Sequence, residues 1–478
     1  MKRASGVIMH ISSLYGDYSV GSLGRPAYEF VDFLKGCGFS YWQTLPVGLC
    51  DRCNSPYKSY SAFAGNPYFI DLEILFEKGL ITKEELKASL QETPYVCEYE
   101  RLSKERLPLL LKASGRAKNR EEINSFAKQN KELDEFCTFA ALKEANGGRP
   151  WKEWKSGNFD PDILFMWRFI QHEFFSQWEK LREYASKQGI KLIGDMPFYV
   201  DFDSSDLYFN RELFLLDGDG NPTGAAGVPP DYFSADGQLW GNPLYDWERM
   251  EKDGFSWWKK RVSHYFKMFD GLRIDHFRGI ESFWQVEAGA STAKQGKWVK
   301  GPGKKLVDVI RSAAGEGLVI AEDLGQITAD VEELLDYSGF PGMRVFQFSF
   351  LGGDNPHLPH NYINNCVAYS STHDNNTLLG YLWELDGQTR ERMLSYCRFS
   401  GDDWGRGCDD IIKTLFASSA GLVMLTVQDI LGFGSDTRMN RPGIAEGNWL
   451  YRVTKEQLRA VDMQKYLKLN QTYSRGNL

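Results

Sequence analysis

The stretch GLRIDHFRG, Gly271 to Gly279, begins as a strand pattern and ends in a burst of charge. Leu272, Ile274 and Phe277 are side chains that a packed sheet would hold, whereas Arg273, Asp275, His276 and Arg278 are not. Successive residues of a strand point to opposite faces, so Arg273 and Asp275 share one face and alternate with Leu272 and Ile274. A carboxylate among apolar neighbours is costly unless a positive group pairs with it. Arg273 supplies that group, and a nearby guanidinium keeps an aspartate ionised. An ionised aspartate at a strand end can attack an electrophilic carbon. Taken alone, an Arg-x-Asp triplet is more simply a structural ion pair. The sequence further out decides between the two.

Short apolar runs of this kind recur along the chain and alternate with amphipathic helical ones, which predicts a βα architecture. The strand candidates are GVIMHI (6–11), YWQTLPV (41–47), KLIGDMPFYV (191–200), GLRIDHF (271–277), GLVIAEDLG (317–325), RVFQFSF (344–350), CVAYSSTHD (366–374) and GLVMLTVQDIL (421–431). Helical patterns lie between them, the longest from Phe165 to Lys187, and Thr454 to Lys468 reads as the closing helix. Eight strands each followed by a helix is the count of an α/β TIM (β/α)8 barrel, whose sites gather at the C-terminal strand ends. An open doubly wound sheet would usually carry a glycine-rich turn after the first strand, and HISSLYGDYSVGSLG contains no GxGxxG. The chain 1–478 therefore reads as a single catalytic barrel with two long connections. A mostly helical subdomain, 72–163, is inserted after strand two, its Lys/Glu runs forming a solvated face. A loop-rich lid region, 201–257, follows strand three; it is aperiodic and dense in Gly, Pro and aromatics.

Composition narrows the classes. Of 478 residues, 42% are hydrophobic and 25% charged, the mix of an ordinary globular chain. A net charge of −8 offers no basic footprint for nucleic acid or an anionic membrane, so neither is expected as a partner. The aromatic share of 14% is high enough to furnish a core and still leave rings to stack on sugar faces. Eight scattered cysteines, with Cys50 and Cys53 as a lone CxxC, point to reduced thiols in a reducing compartment. The N-terminus lacks a signal-peptide pattern and no apolar run reaches transmembrane length, which places the protein in the cytoplasm. GPGKK (301–305) fails the spacing of a phosphate loop.

Placed on a barrel, the strand ends converge acids: Asp195 on strand three, Asp275 on four, Glu322 and Asp323 on five, His373 and Asp374 on seven. Such a mouth can bind a metal or cleave a glycosidic bond. Histidines for zinc are too few: His276 and His373 sit near strand ends, while His357 and His360 lie in a Pro-rich loop. Arg273 and Arg278 among the acids disfavour a dication, so no metal and no cofactor are expected. Glycoside cleavage needs one ionised carboxylate and one protonated carboxylic acid. Asp275 beside arginine suits the first role. Glu322, after the apolar run Gly317 to Ala321, suits the second, since burial raises a carboxyl pKa.

GLRIDHFRG, AEDLG (321–325) and STHDNNT (371–377), in that order, resemble the catalytic regions of the 4-α-glucanotransferase (amylomaltase) family, glycoside hydrolase family 77. The resemblance extends over almost the whole chain. It takes in SPY (55–57), SAFAGNP (61–67), GDMPFYV (194–200), GVPPDYFSADGQLWGNPLYDW (227–247), Trp298 with GPG (301–303), and RMNRPG (438–443). It implies a retaining transfer of α-1,4-glucan segments from a donor to the 4-hydroxyl of glucose or a malto-oligosaccharide. Asp275 would be the nucleophile, Glu322 the acid/base and Asp374 the carboxylate that grips sugar hydroxyls. Arg273, His373 and Asp195 would support substrate and nucleophile.

An α-1,4-glucan hydrolase with the same three acids, or a metal-dependent barrel enzyme, remains open on the acids alone. Exclusion of water and stacking of an acceptor by a loop would favour transfer. Tyr57 and Trp240 are the ring candidates for sugar contact. Asn440 and Asn448, near the last strand, read equally as hydroxyl ligands or as turn caps.

Overall fold

The computed structural model describes residues 1–51, 53–230, 235–444 and 446–476. Its strands are β1 (Ala4–Ile8), β2 (Tyr41–Gln43), β3 (Lys191–Met196), β4 (Gly224–Val228), β5 (Gln238–Pro243), β6 (Gly271–Ile274), β7 (Ser282–Glu287), β8 (Gly296–Lys300), β9 (Leu318–Ala321), β10 (Gly342–Val345), β11 (Cys366–Tyr369) and β12 (Leu422–Thr426). Eight of them close a parallel barrel in the order β1-β2-β3-β6-β9-β10-β11-β12. These are the eight strand candidates of the sequence. Closure is made by β1 on β12, from Ala4 opposite Leu422 to Ile8 opposite Thr426.

Alternation along each strand splits the apolar residues into two cores. Ile8, Ile193, Ile320, Val367, Leu422 and Met424 pack inside the barrel. The opposite faces meet the surrounding helices. The helix Lys304–Ala314, for example, turns Leu306, Val307 and Ile310 inward, a spacing that lies on one helical face. The helix Pro161–Lys187 starts where Asp160 accepts the Asp162 N–H and Pro161 needs no donor of its own. It ties onto the neighbouring helix Ser256–Met268, which leads into β6, where Trp178 Nε1 donates to the Met268 carbonyl at 3.0 Å.

Several strands end earlier than the apolar runs suggest, for local reasons. β3 stops at Met196 because Pro197 has no N–H to give the ladder. β12 stops at Thr426, whose hydroxyl caps the short helix Val427–Leu431. The expected closing helix from Thr454 to Lys468 is two helices, Lys455–Arg459 and Met463–Thr472. Asp462 caps the second by accepting the Lys465 N–H, and that competition for backbone donors breaks the run.

The stretch 201–257, expected as a loop-rich lid, instead carries β4 and β5 with the helices Ser205–Phe209 and Trp247–Lys252. β4 pairs antiparallel with β5 and with β7, and β7 with β8, giving a four-stranded rim sheet β5-β4-β7-β8. Two causes hid it. Half of its strands come from the next connection, and a register shift between Ala225 and Gly227 breaks the alternation. Asp231 to Ser234 of the GVPPDYFS motif lie outside the described residues. Between β2 and Pro161 the chain forms the helices Leu72–Glu77, Lys83–Ala88, Tyr99–Arg116, Arg120–Gln129 and Lys131–Ala145.

Gly194 of β3 has no room for a side chain: a Cβ there would stand 2.5 Å from the Phe269 ring. Phe269 is itself wedged edge-on against Trp178, at 5.0 Å. Gly194→Ala is expected to destabilise the fold by about 1–3 kcal/mol through overpacking, read as a lower denaturant midpoint. An unchanged midpoint would show that Phe269 swings aside.

Candidate active site

β3 and β6 are in register with Asp195 opposite Arg273. Arg273 Nη1 donates to Asp195 Oδ1 at 2.7 Å and Oδ2 at 2.9 Å, and to Asp275 Oδ1 at 3.0 Å. Its Nε faces Met343 Sδ at 3.4 Å. Asp195 is fully buried and Arg273 nearly so, which is tolerable because the charges are paired and hydrogen-bonded. The sequence assigned Arg273 to Asp275; in the structure its closer partner is Asp195, and Asp275 takes the outer position. Burial would lower the Arg273 pKa, but the two carboxylates outweigh it and hold the guanidinium well above its ordinary value.

Just past β6 the chain reverses at His276, whose φ of 49° is left-handed, a costly state for a non-glycine residue. The reversal aims the His276 N–H at Glu322 Oε2, at 2.7 Å. The Leu324 N–H donates to Glu322 Oε1 at 3.0 Å. The ladder between the two strand ends persists, with Glu322 N donating to Ile274 O at 3.0 Å and Phe277 N to Glu322 O at 3.1 Å. Asp275 and Glu322 thus sit side by side on adjacent strand ends. The neighbouring Asp323 is turned away, accepting the Met343 N–H at 2.6 Å and Arg344 Nη1 at 2.8 Å. Gly342 makes that possible, since a Cβ there would stand 2.4 Å from Asp323 Oδ2.

Environment separates the two carboxyls. Burial raises Glu322, Arg273 pulls it back, and the charge of Asp275 raises it again, to about 8. Asp275 is also raised by burial and pulled back by Arg273, reaching about 6. The arginine therefore moderates the shift of Asp275 rather than depressing it below the usual range. The two carboxyls titrate as a pair, which keeps one proton and one negative charge at neutral pH, with Glu322 the more strongly raised member.

The loop after β11 brings His373 and Asp374 to the same mouth, with His373 Nε2 3.3 Å from Asp374 Oδ2. Partial burial would raise Asp374, but His373, and Asn440 Nδ2 donating to Oδ1 at 2.6 Å, hold it well below the ordinary carboxylate range. Burial would lower His373; Asp374 outweighs it and leaves His373 raised. Beneath this loop Asp429 accepts the hydroxyls of Ser370 and Ser371, each at 2.6 Å, and the Leu378 N–H at 2.7 Å. Tyr57 closes the far side. Its hydroxyl donates to Asp195 Oδ2 at 2.8 Å and lies 3.3 Å from His373 Nδ1, and its ring stacks on His373 at 4.9 Å. Trp240, on β5 of the rim, meets His276 edge-on at 4.8 Å.

Asp195, Arg273, Asp275, Glu322, His373, Asp374 and Tyr57 thus form one connected cluster, with Trp240 at its border through His276. Asn440 resolves as a partner of Asp374. Asn448 resolves as a turn residue, accepting the Arg441 N–H at 2.9 Å. Sequence reasoning missed Arg438, whose Nη2 donates to the Asp374 carbonyl at 2.7 Å, although RMNRPG marked its neighbourhood. It also missed Trp449, 6.0 Å from Tyr57 and 5.9 Å from His373, which no local pattern signals.

A family profile described as 4-alpha-glucanotransferase matches residues 9–458. The chain is 42% identical over 494 aligned positions to the 4-alpha-glucanotransferase of Clostridium butyricum, covering 98% of this chain and 100% of that one. It is 43% identical over 497 to that of Streptococcus pneumoniae, covering 100% and 98%. Among solved structures, an amylomaltase from Streptococcus agalactiae in complex with acarbose superposes with a TM-score of 0.95 at 37% identity, each chain covered fully.

Arg273→Met would strand Asp195 without its cation in the barrel interior. The variant is expected to lose about 3–5 kcal/mol of stability, and adding Asp195→Asn in the same chain is expected to restore part of it. Denaturant midpoints of the single and double variants check this; equal losses in both would show that the buried charge is not the cause.

Proposed function

The chain belongs to the 4-alpha-glucanotransferase family, glycoside hydrolase family 77, and is an enzyme that transfers α-glucan segments; we propose that Asp275, Glu322 and Asp374 carry the reaction. The observation that bears most weight is the pairing of an ionised Asp275, held by Arg273 at 3.0 Å, with a proton-bearing Glu322 on the adjacent strand end.

In this reading Glu322 gives its proton to the glycosidic oxygen while Asp275 attacks the anomeric carbon. Arg273 holds Oδ1, so Oδ2 forms the new C–O bond as the bond to the leaving sugar breaks. The product is a covalent β-glycosyl ester with inverted configuration. The 4-hydroxyl of glucose or a malto-oligosaccharide then passes its proton to Glu322 and displaces Asp275, which restores the α-1,4 bond. Asp374, ionised and 47% exposed, grips sugar hydroxyls with His373 beside it. Tyr57 and Trp240 offer stacking faces, and Asp195 fixes Arg273. The donor is an α-1,4-glucan. Six of the eight free cysteines are buried, which supports a cytoplasmic setting.

The activity should trace a bell in pH. Below about 6 Asp275 takes up a proton and can no longer attack; above about 8 Glu322 loses the proton it must deliver. Glu322→Gln is expected to cut the rate by about 10²–10⁴ and to abolish the alkaline limb of kcat/KM. Retention of that limb would reassign the acid. A slow fluorinated maltosyl donor is expected to leave its label on Asp275, and a label on another side chain would sink the nucleophile assignment. Maltotriose is expected to give a ladder of longer oligosaccharides; maltose and glucose alone would mean hydrolysis instead.

A further inference from the structure

Arg278 is the one charged residue of Gly271–Gly279 that the chemistry above does not use. It is buried, at 4% exposure, yet among the described residues no carboxylate lies within ion-pair distance of it. The nearby Glu281 is occupied instead by Lys300 and by the Ser282 hydroxyl. A buried arginine normally keeps a carboxylate. Arg278 spends its donors on direction: Nη1 donates to the Gln326 carbonyl and Nη2 to Ser282 Oγ at 3.1 Å. Its guanidinium lies over the Trp298 indole, 3.8 Å from the ring centroid. Trp298, on β8, packs edge-on against Trp284 of β7 at 5.2 Å.

These contacts join three pieces of chain. Residues 276–280 form one tight turn, closed by Gly279 N donating to His276 O at 2.9 Å and Glu281 N to Arg278 O at 3.0 Å. Residues 322–327 form an irregular loop outside any strand or helix, with Gly325 at φ 84°. The rim sheet is the third. The turn supplies the His276 N–H and the loop supplies the Leu324 N–H, the two donors on the Glu322 carboxyl. The distance between turn and loop sets whether both donors reach it.

We propose that Arg278 is a positioning residue for the acid/base: it clamps the His276 turn to the Leu324 loop and braces both on the rim sheet through Trp298. The inference rests on the reading of Glu322 as acid/base. The charged groups facing Glu322 are Asp275 and Arg273 from the end of β6, and those around Arg278 are Glu281, Lys300 and, through Lys300, Asp330. His276 stays neutral, its pKa pushed down to about 3 by burial and then by Arg278.

Arg278→Met tests this. The variant is expected to lose roughly one to two orders of magnitude in kcat from a displaced acid, with KM for maltotriose within about threefold of the parent. The alkaline limb of kcat/KM is expected to move to higher pH, because N–H donors favour the charged carboxylate and their loss raises its pKa. Arg278→Lys, which keeps the charge but not the planar fork, should not restore the limb. Trp298→Ala removes a ring that is 38% exposed and should fold readily; it is expected to shift the limb the same way by less. A folded Arg278→Met with parental kcat and an unmoved limb overturns the proposal. If that variant does not fold, an unmoved limb in Trp298→Ala overturns it equally. Full activity in Glu322→Gln would instead remove the acid/base reading itself, so the two failures are distinct.

Discussion

One guanidinium shared between two carboxylates is the constraint on which the mouth of this barrel depends. Arg273 and Asp195 face each other in register across β3 and β6, and neither can ionise alone at that depth without a cost of several kcal/mol. Two acids and one base leave a surplus negative charge, and it falls on Asp275, the member with 29% of its side chain still exposed. In the proposed reaction that surplus faces a transition state with cationic character at the anomeric carbon. Burial pushes Asp275 toward its protonated form, and the arginine limits the rise.

The barrel and most of its site were legible because both write themselves locally. A mostly apolar strand of three to six residues followed by a helix repeats eight times, and each acid stands within a few residues of a strand end. Asp275 and Glu322 follow β6 and β9 directly, while His373 and Asp374 come four and five residues after Tyr369, the last residue of β11. What stayed hidden depends on pairs distant in sequence. The rim sheet couples Gly227 of β4 to Trp284 of β7, and a bulge erases the period that would have betrayed it. Trp449 joins Tyr57 and His373 from nearly four hundred and about seventy-five residues away, in a segment with no pattern. The finer electrostatics were likewise out of reach, since the sequence named Arg273 as the partner of Asp275 but not Asp195 as its stronger claimant.

Backbone groups do as much here as side chains. The Glu322 carboxyl is held by two N–H donors, and one of them is aimed by the left-handed conformation of His276 immediately after Asp275. That single strained residue couples the Asp275 and Glu322 carboxyls, since any rotation at His276 moves the neighbour of one and a ligand of the other. Asp429 plays the matching part under β11, gathering two serine hydroxyls and a main-chain donor below the His373–Asp374 pair.

Closure of the barrel by β1 on β12 carries a consequence for biosynthesis. The first strand of the ring finds one neighbour, β2, almost at once, but its other neighbour begins at Leu422, more than four hundred residues later. During translation the nascent chain therefore exposes one unpaired strand edge for most of the time the ribosome takes to make it, a condition that invites association between copies. The strand Leu422–Thr426 is what seals that edge, so a message truncated before Leu422 would yield an open sheet rather than a shortened enzyme.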